Sequence, residues 1–403
     1  MAQVSGIRAT SQAITETRLV RYVGESLALL EPSVSPLTTF LMRMGKFTPV
    51  TSPRIEFFED DYVARWAQNG SATVAASASS TTVTVADGTN FVAGDIFIVP
   101  NAASSSTAPE QIRVTAVSTN ALTVVRGVGA TSPAAINPSV ALAILGTAFE
   151  EGATPPTAKT TAKSAKISYT QIFRKTTNLS KTQVASKVYA APGGERKDQH
   201  HKMLKQMKID LNRQVLFGTK SEALTGGPNG EPIRTTMGLN SVISTNTTNA
   251  SGALTETIFE TFSRQAFRYG SEEKLLLAAP LIISAIHSWG NSKLQIKPMG
   301  KIYGVNVDRV STGHGVWLIA RDWMLENGVS SYNGFGGWAF SVDTDELDLH
   351  YLSGNGENRN IRLYEDVIRD GRDAYVDEAS GEVGFCVHHE KKHAKLYNVT
   401  SYS

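Results

Sequence analysis

The sequence predicts an α+β chain whose first half is interrupted by a small all-β module. Three observations carry this. From about Ser71 to Gly146 the chain is poor in charge and rich in Ala, Ser, Thr and Val, with β-branched runs parted by Gly, Asn and Asp; that is the pattern of short strands joined by turns. A long amphipathic stretch follows, with Met203, Met207, Leu211 and Val215 one helical turn apart. Beyond residue 255, helix-like and strand-like stretches alternate, as in a layered core of helices on a sheet.

The whole chain sets the bounds. At 403 residues it has the length of two or three domains. With 41% hydrophobic and 19% charged residues it has the composition of a globular protein with a sizeable core. A formal charge of +2 sets up no strong field, so any contact with nucleic acid needs a local basic face. Cys386 is the only cysteine, which excludes an intramolecular disulfide and a cysteine metal cluster. Arg8, Arg18 and Arg21 interrupt any secretory apolar core. The longest apolar run, Leu275–Ile286, contains Pro280 and Ser284 and is shorter than the roughly 20 residues a membrane span takes. The expectation is a soluble protein with no membrane partner, made in a reducing compartment.

Taken in order, residues 1–46 read as an arm. Pro32 and Pro36 break its helical patches, yet Leu27, Leu29, Leu30, Leu37, Phe40, Leu41 and Met42 make it strongly apolar. The expectation is that they dock on another part of the protein or on a neighbouring subunit. Residues 54–68 read as strand, and "SAKISYTQIFRKTTNLS" (164–180) alternates and is expected to pair with them. The β module then sits at the tip of a long two-stranded loop. The long helix is predicted over about 20 residues with Gly218 as its stop. Its other face carries Arg196, Lys197, Lys202, Lys205, Lys208 and Arg213, either a solvated face or one turned to a polyanion. Residues 219–252 read as connection. "TETIFETFSRQAFRYG" and 280–290 read as helices, and "KLLLAAP", "GVNVDRV" and "GVWLIA" as strands. Residues 359–399 are expected to form a β meander, with turns at Asp370-Gly371 and Ser380-Gly381.

One motif spells catalysis. His389-Glu390-Lys391-Lys392-His393 matches H-E-x-x-H, in which two His on one helical face bind zinc and Glu is the base. Its context is strand-like, however. No His, Asp, Glu or Cys follows His393 to give a third ligand. The plain reading is a Lys-Lys turn with surface His on two adjoining strands. Phosphate-binding loops, nucleophile elbows and dinucleotide fingerprints do not occur. "DTDELD" (343–348) starts like a calcium loop but has Asp348 at position six and Gly354 at position twelve, so it fails. No cofactor and no enzymatic activity are expected. Glu59-Asp60-Asp61, near Trp66, is an acidic knot that reads better as a local interface or surface charge than as catalytic carboxylates.

The order of parts, and three stretches in particular, resemble a known family. The stretches are "ALLEPSVSPLTTFLMRMG" with "EFFEDD", "FVAGDIFIV…EQIRVTAV…LTVVRGVGATSPAA" leading to "FEEGATPP", and "DAYVDEASGEVGFCVHHEKKHAKLYNV". Together they resemble the major capsid proteins of tailed bacteriophages, of Hong Kong 97-type fold. The resemblance implies an N-terminal arm (1–46) and an E-loop (47–190) with an inserted all-β domain (71–148). A P-domain spine helix and connection (191–235), an A-domain (236–345) and returning P-domain strands (346–403) follow. It implies self-assembly as hexamers and pentamers into an icosahedral shell around double-stranded DNA, bound without sequence reading. The shell would be assembled in the host bacterial cytoplasm and end in the virion, with portal, scaffold or decoration proteins as further partners. On this reading Leu29, Leu37, Phe40, Glu59, Asp60, Asp61 and Trp66 are assembly contacts, and Arg196, Lys197, Lys202 and Lys205 face DNA. Two other readings remain open at this point: another phage structural or adhesion component with a carbohydrate-binding β module, and a zinc hydrolase.

Overall fold

The computed structural model describes residues 36–100, 109–186, 193–290, 296–302, 305–325, 335–368 and 371–402. Two compact units result: the chain up to Phe57 together with Lys166 onward, and Phe58–Ala165 between them.

The first unit is organised by the helix Glu195–Phe217, 23 residues long. Met203, Met207, Leu211 and Val215 are each at most 2% exposed, so the stripe read from the sequence is the face it buries. Glu195 and Asp198 in the first turn suit the positive end of the helix dipole. The helix does stop at Gly218, but not through a left-handed residue: φ there is −59°. Glycine is needed for close approach instead, since a Cβ at Gly218 would lie 2.4 Å from the Gln214 carbonyl oxygen.

Two seven-stranded sheets flank this helix. The first runs Phe47–Val50, Leu347–Gly354, Ala374–Val387, Ser164–Ser180, Arg54–Glu59, with two short strands alongside. The strand 164–180 thus lies beside 54–59, as its alternation predicts. The second runs Thr247–Leu254, Ala394–Tyr402, Ala339–Val342, Glu273–Ala278, Val316–Arg321, Val305–Ser311, Ile296–Ile302. Strand Glu273–Ala278 joins two cores. Leu275 and Leu277 pack with the long helix and Phe340, while Leu276 and Ala278 pack with Phe259, Phe262, Ile282 and Trp317. Burial on both faces is why its sequence is a continuous apolar run rather than an alternation. The helices Glu256–Ala266 and Pro280–Gly290 supply that second core.

The expected C-terminal meander is not what forms. Ser380-Gly381 is no turn but the middle of the 14-residue strand Ala374–Val387. A Cβ on Gly381 would lie 2.9 Å from the Ile361 side chain, so the glycine serves packing. That strand belongs to the first sheet, and Ala394–Tyr402 belongs to the second. A meander needs two neighbours in one sheet; here the chain crosses from one sheet to the other within six residues, 388–393. Asp370 lies outside the described residues, and Gly371 has φ +83°.

In the second unit six strands follow the order Trp66–Gln68, Ala141–Thr147, Asp95–Ile98, Gln111–Ser118, Ala121–Val128, Thr82–Thr84. The ends of this sheet meet: Asn69 bridges Val85, Gly70 N donates to Thr84 O at 2.8 Å and Ala86 N to Gln68 O at 2.9 Å. The sheet therefore closes into a small barrel, which removes its free edges. Val83, Phe97, Ile112, Leu122, Ile136 and Leu142 fill the interior, each 0% exposed. One ion pair is buried with them. Arg126 binds both carboxylate oxygens of Glu110, at 2.7 and 2.6 Å, and the remaining valences go to the backbone at Ala75, Ala134 and Gly127. With its own core and no open edge, residues 58–165 expressed alone are expected to fold. The check is a cooperative thermal transition of a β-type circular dichroism spectrum; a non-cooperative melt would count against it.

Candidate assembly surfaces and the chain-closing turn

The arm's apolar residues go inward. Pro36–Arg43 is a helix that starts on Pro36, the residue preorganised for a first turn. Leu37, Phe40 and Leu41 share one face and are 0%, 4% and 0% exposed, in one core with the long helix. Leu37 and Phe40 are therefore anchors within the subunit. Of the two docking places expected for the arm, the protein itself or a neighbouring subunit, these side chains take the first, and burying each is worth about 2 kcal/mol. Leu29 lies outside the described residues.

The start of the long helix is held to the first sheet by charge. Arg196 donates to both oxygens of Asp377, at 2.7 and 2.6 Å, and its guanidinium lies 4.6 Å from the centre of the Tyr375 ring. His200 Nε2 is 2.6 Å from the same carboxylate, and the Asp366 amide donates to it at 2.9 Å. Asp377 is 1% exposed. Although burial works against its ionised form, Arg196 and the other donors hold its carboxyl well below the usual range. Arg196 thus has an internal partner in Asp377 while its side chain stays 24% exposed. Lys202 is 2.6 Å from Asp198 one turn earlier, so its charge is largely spent on its own helix. Lys197 is exposed and Lys205 half-buried. Neighbouring Arg174 makes a similar paired contact with Glu378, at 2.6 and 2.7 Å. Sequence reading missed Asp377 and Glu378 because their strand is buried on both faces there and shows no alternation.

The H-E-x-x-H stretch is the crossover between the sheets. His389 has φ 48° and Glu390–Lys392 form a single 3-10 turn, so there is no helical face to carry two imidazoles. Both nitrogens of His393 are used: Nδ1 accepts from the Asp343 amide at 3.3 Å, and Nε2 lies 3.1 Å from the His388 carbonyl. His393 is 0% exposed, which corrects its reading as a surface residue, and burial pulls its pKa down to about 4. The Glu390 carboxylate accepts from the amides of Ser244 (2.8 Å) and Thr245 (2.5 Å). His388 Nε2 is 3.1 Å from Asp348, and Lys392 is paired with Glu346. Among the described residues no group of three or more His, Cys, Asp or Glu is placed to hold a metal ion.

Lys274 lies under this turn, 1% exposed. Its ammonium donates to the carbonyls of Ala266 (2.7 Å), Tyr269 (2.7 Å) and Lys392 (2.5 Å). The only sequence signal for it is a charge opening an apolar run.

Acidic and aromatic residues remain on the outside of the second unit. Phe58, Tyr62 and Trp66 are 69%, 101% and 56% exposed; between them Asp60 and Asp61 are exposed and Glu59 half-buried. Trp66 stands opposite Ala143, which stands opposite Ile98 on the next strand. Leu142 and Ile144 point inward, so Ala143 and the exposed Leu145 share the outer face with Trp66. The barrel therefore carries an uncharged strip across three strands, of a kind that marks interaction sites on proteins. No helix among the described residues is long and apolar enough to cross a membrane.

Residues 8–400 match the model of the SU10 major capsid protein family. A curated relative described as a major capsid protein, from Pseudomonas phage PaMx41, is 29% identical over 240 residues, 59% of this chain and 54% of the relative. The chain thus spans about half the length of that relative. Among solved structures, the capsid of a native GTA particle, computed with C5 symmetry, aligns with a TM-score of 0.50 at 9% identity over 97% of this chain and 99% of that one. The holo-SrpI encapsulin complex of Synechococcus elongatus aligns with a TM-score of 0.48 at 11% identity over 99% of each chain. The GTA capsid carries the fold likeness.

Proposed function

This chain belongs to the SU10 major capsid protein family, and on that footing we propose that it self-assembles as hexamers and pentamers into the icosahedral shell enclosing phage double-stranded DNA. Its fold is of Hong Kong 97 type. The observation that carries the function is the family match over residues 8–400. In this reading residues 1–46 are the arm, 47–190 the E-loop with its β domain, 191–235 the spine, 236–345 the A-domain and 346–403 the returning strands. The last boundary carries an amendment: Ala394–Tyr402 pairs in the sheet that holds Glu273–Ala278. The shell is the virion's, put together in the host cytoplasm.

Contacts between copies fall on Trp66 with its strip and on the acidic run of half-buried Glu59 and exposed Asp60 and Asp61. DNA contact falls on the long helix, at exposed Lys197 and half-buried Lys205, and is electrostatic and salt-sensitive. The family match over residues 8–400 disfavours the adhesion reading.

Electron microscopy of the purified protein tests the reading directly, with shells or capsomers expected and persistent monomers the contrary result. Trp66→Ser tests the strip. The barrel core is untouched, so the melting temperature is expected to stay within a few degrees while the yield of assembled particles falls by about tenfold or more. Unchanged yield would remove Trp66 from the interface.

A further inference from the structure

A second polar joint lies further along the long helix. Asn212 and Asp322 are both 0% exposed. Asn212 Nδ2 donates to Asp322 Oδ2 at 3.1 Å and to the Met324 sulfur at 3.3 Å. The Met324 amide donates to Asp322 Oδ1 at 3.0 Å, and the Asp322 amide to Ala278 O at 3.2 Å. Two partners are missing. No cation among the described residues pairs with Asp322, and Asn212 Oδ1 has no hydrogen bond. A buried carboxylate without countercharge is costly, and so is an orphan acceptor. One proton removes the charge. As a carboxylic acid Asp322 is neutral and gains an O–H to donate. Turning the Asn212 amide over places its oxygen opposite that O–H and its Nδ2 where Oδ1 now lies, an exchange of two nearly equal orientations.

We infer that Asp322 and Asn212 form a proton-operated latch between the long helix and the second sheet, closed when Asp322 is the neutral acid and loosened when it is ionised. The groups facing the pair are the Met324 amide and sulfur and the Ala278 carbonyl, none of which titrates. On the helix, Lys208 and Arg213 are exposed. Arg321, next in sequence, is stacked 3.4 Å above the Trp323 ring. Burial raises the Asp322 carboxyl above its ordinary 3.8. The sign follows: the folded state holds this proton more tightly than the unfolded chain, so the joint weakens as pH rises through the raised value. The other polar joint of the same helix, at Asp377, is shifted the opposite way and keeps its charge over that range. Of these two carboxylates, mild acid therefore changes the charge of Asp322 alone.

Hydrogen exchange read by mass spectrometry on the intact protein, at about pH 7.5 and about pH 4.5 and corrected for intrinsic rates, tests this. Peptides covering 207–217 and 316–325 are expected to gain several-fold protection in acid, and the helix 256–266 is not. Asp322→Asn carries a permanent neutral donor and is expected to show high protection at both pH values. Absence of the acid gain in the wild type, or its persistence in Asp322→Asn, overturns the latch. The wild-type comparison decides alone if the variant does not fold.

Discussion

Replacing Arg196 with methionine is expected to cost about 3 kcal/mol of folding stability. It leaves Asp377, 1% exposed, with only His200 and the Asp366 amide as partners. The carboxylate was desolvated on folding, and the guanidinium that offset this would be gone. Asp377→Asn should cost less, because Arg196 keeps Glu365 nearby at 3.5 Å and is partly open to water. The double replacement should recover part of the Arg196→Met loss, since no buried charge is then left alone. Urea midpoints of the three variants measure this, and simple additivity would contradict it. The acid limb gives an independent reading. Asp377 has a folded pKa held below its ordinary 3.8. Its contribution is therefore complete above that value and is lost only as pH falls below it. Wild type is expected to show a drop in stability below pH 3.8 that is shallower in Asp377→Asn; equal limbs would detach Asp377 from acid sensitivity.

Much of the fold is legible in the sequence, and the reason is periodicity. Met203, Met207, Leu211 and Val215 announce the long helix, and the alternation of 164–180 announces a strand that borders 54–59. What the sequence does not show is where a buried element has covers on two sides. Strand Ala374–Val387 is covered on both faces over much of its length, so Asp377 and Glu378 look like ordinary solvated charges and Ser380-Gly381 looks like a turn. Leu37 and Phe40 show the converse. Their apolar character is plain, but a sequence cannot say whether an apolar face is buried at home or in a neighbour. Trp66 is named from the sequence as an assembly contact, yet its strip becomes visible only when the barrel brings Ala143 and Ile98 into register beside it. The H-E-x-x-H spelling shows how little five letters fix: the same residues that would hold zinc on a helix here close a 3-10 turn between sheets.

Lys274 gives the other large effect. Methionine there keeps most of the volume but leaves the carbonyls of Ala266, Tyr269 and Lys392 without the donor that now reaches all three. The Ala266 carbonyl ends the helix Glu256–Ala266, where four backbone acceptors lack helical partners and a cation is favoured, and Tyr269 lies in the turn that follows. The third fixes the crossover that delivers Ala394–Tyr402 to the second sheet. The loss is expected to be on the order of 4 kcal/mol. Local opening should concentrate at 388–402, read as faster hydrogen exchange there than at the Asp377 end of the long helix. Titration adds a signature that packing loss cannot imitate. Burial pulls the Lys274 pKa from 10.5 to about 8. Between those values the unfolded chain still binds a proton that the folded one has released, so this group makes stability rise with pH across that window, by up to about 3 kcal/mol. Lys274→Met lacks the rise, and the gap between the two proteins should widen from pH 8 towards pH 10.5. A constant or narrowing gap would mean that three carbonyls fully replace the water this ammonium left, and that the crossover rests on His393 and Glu390 instead.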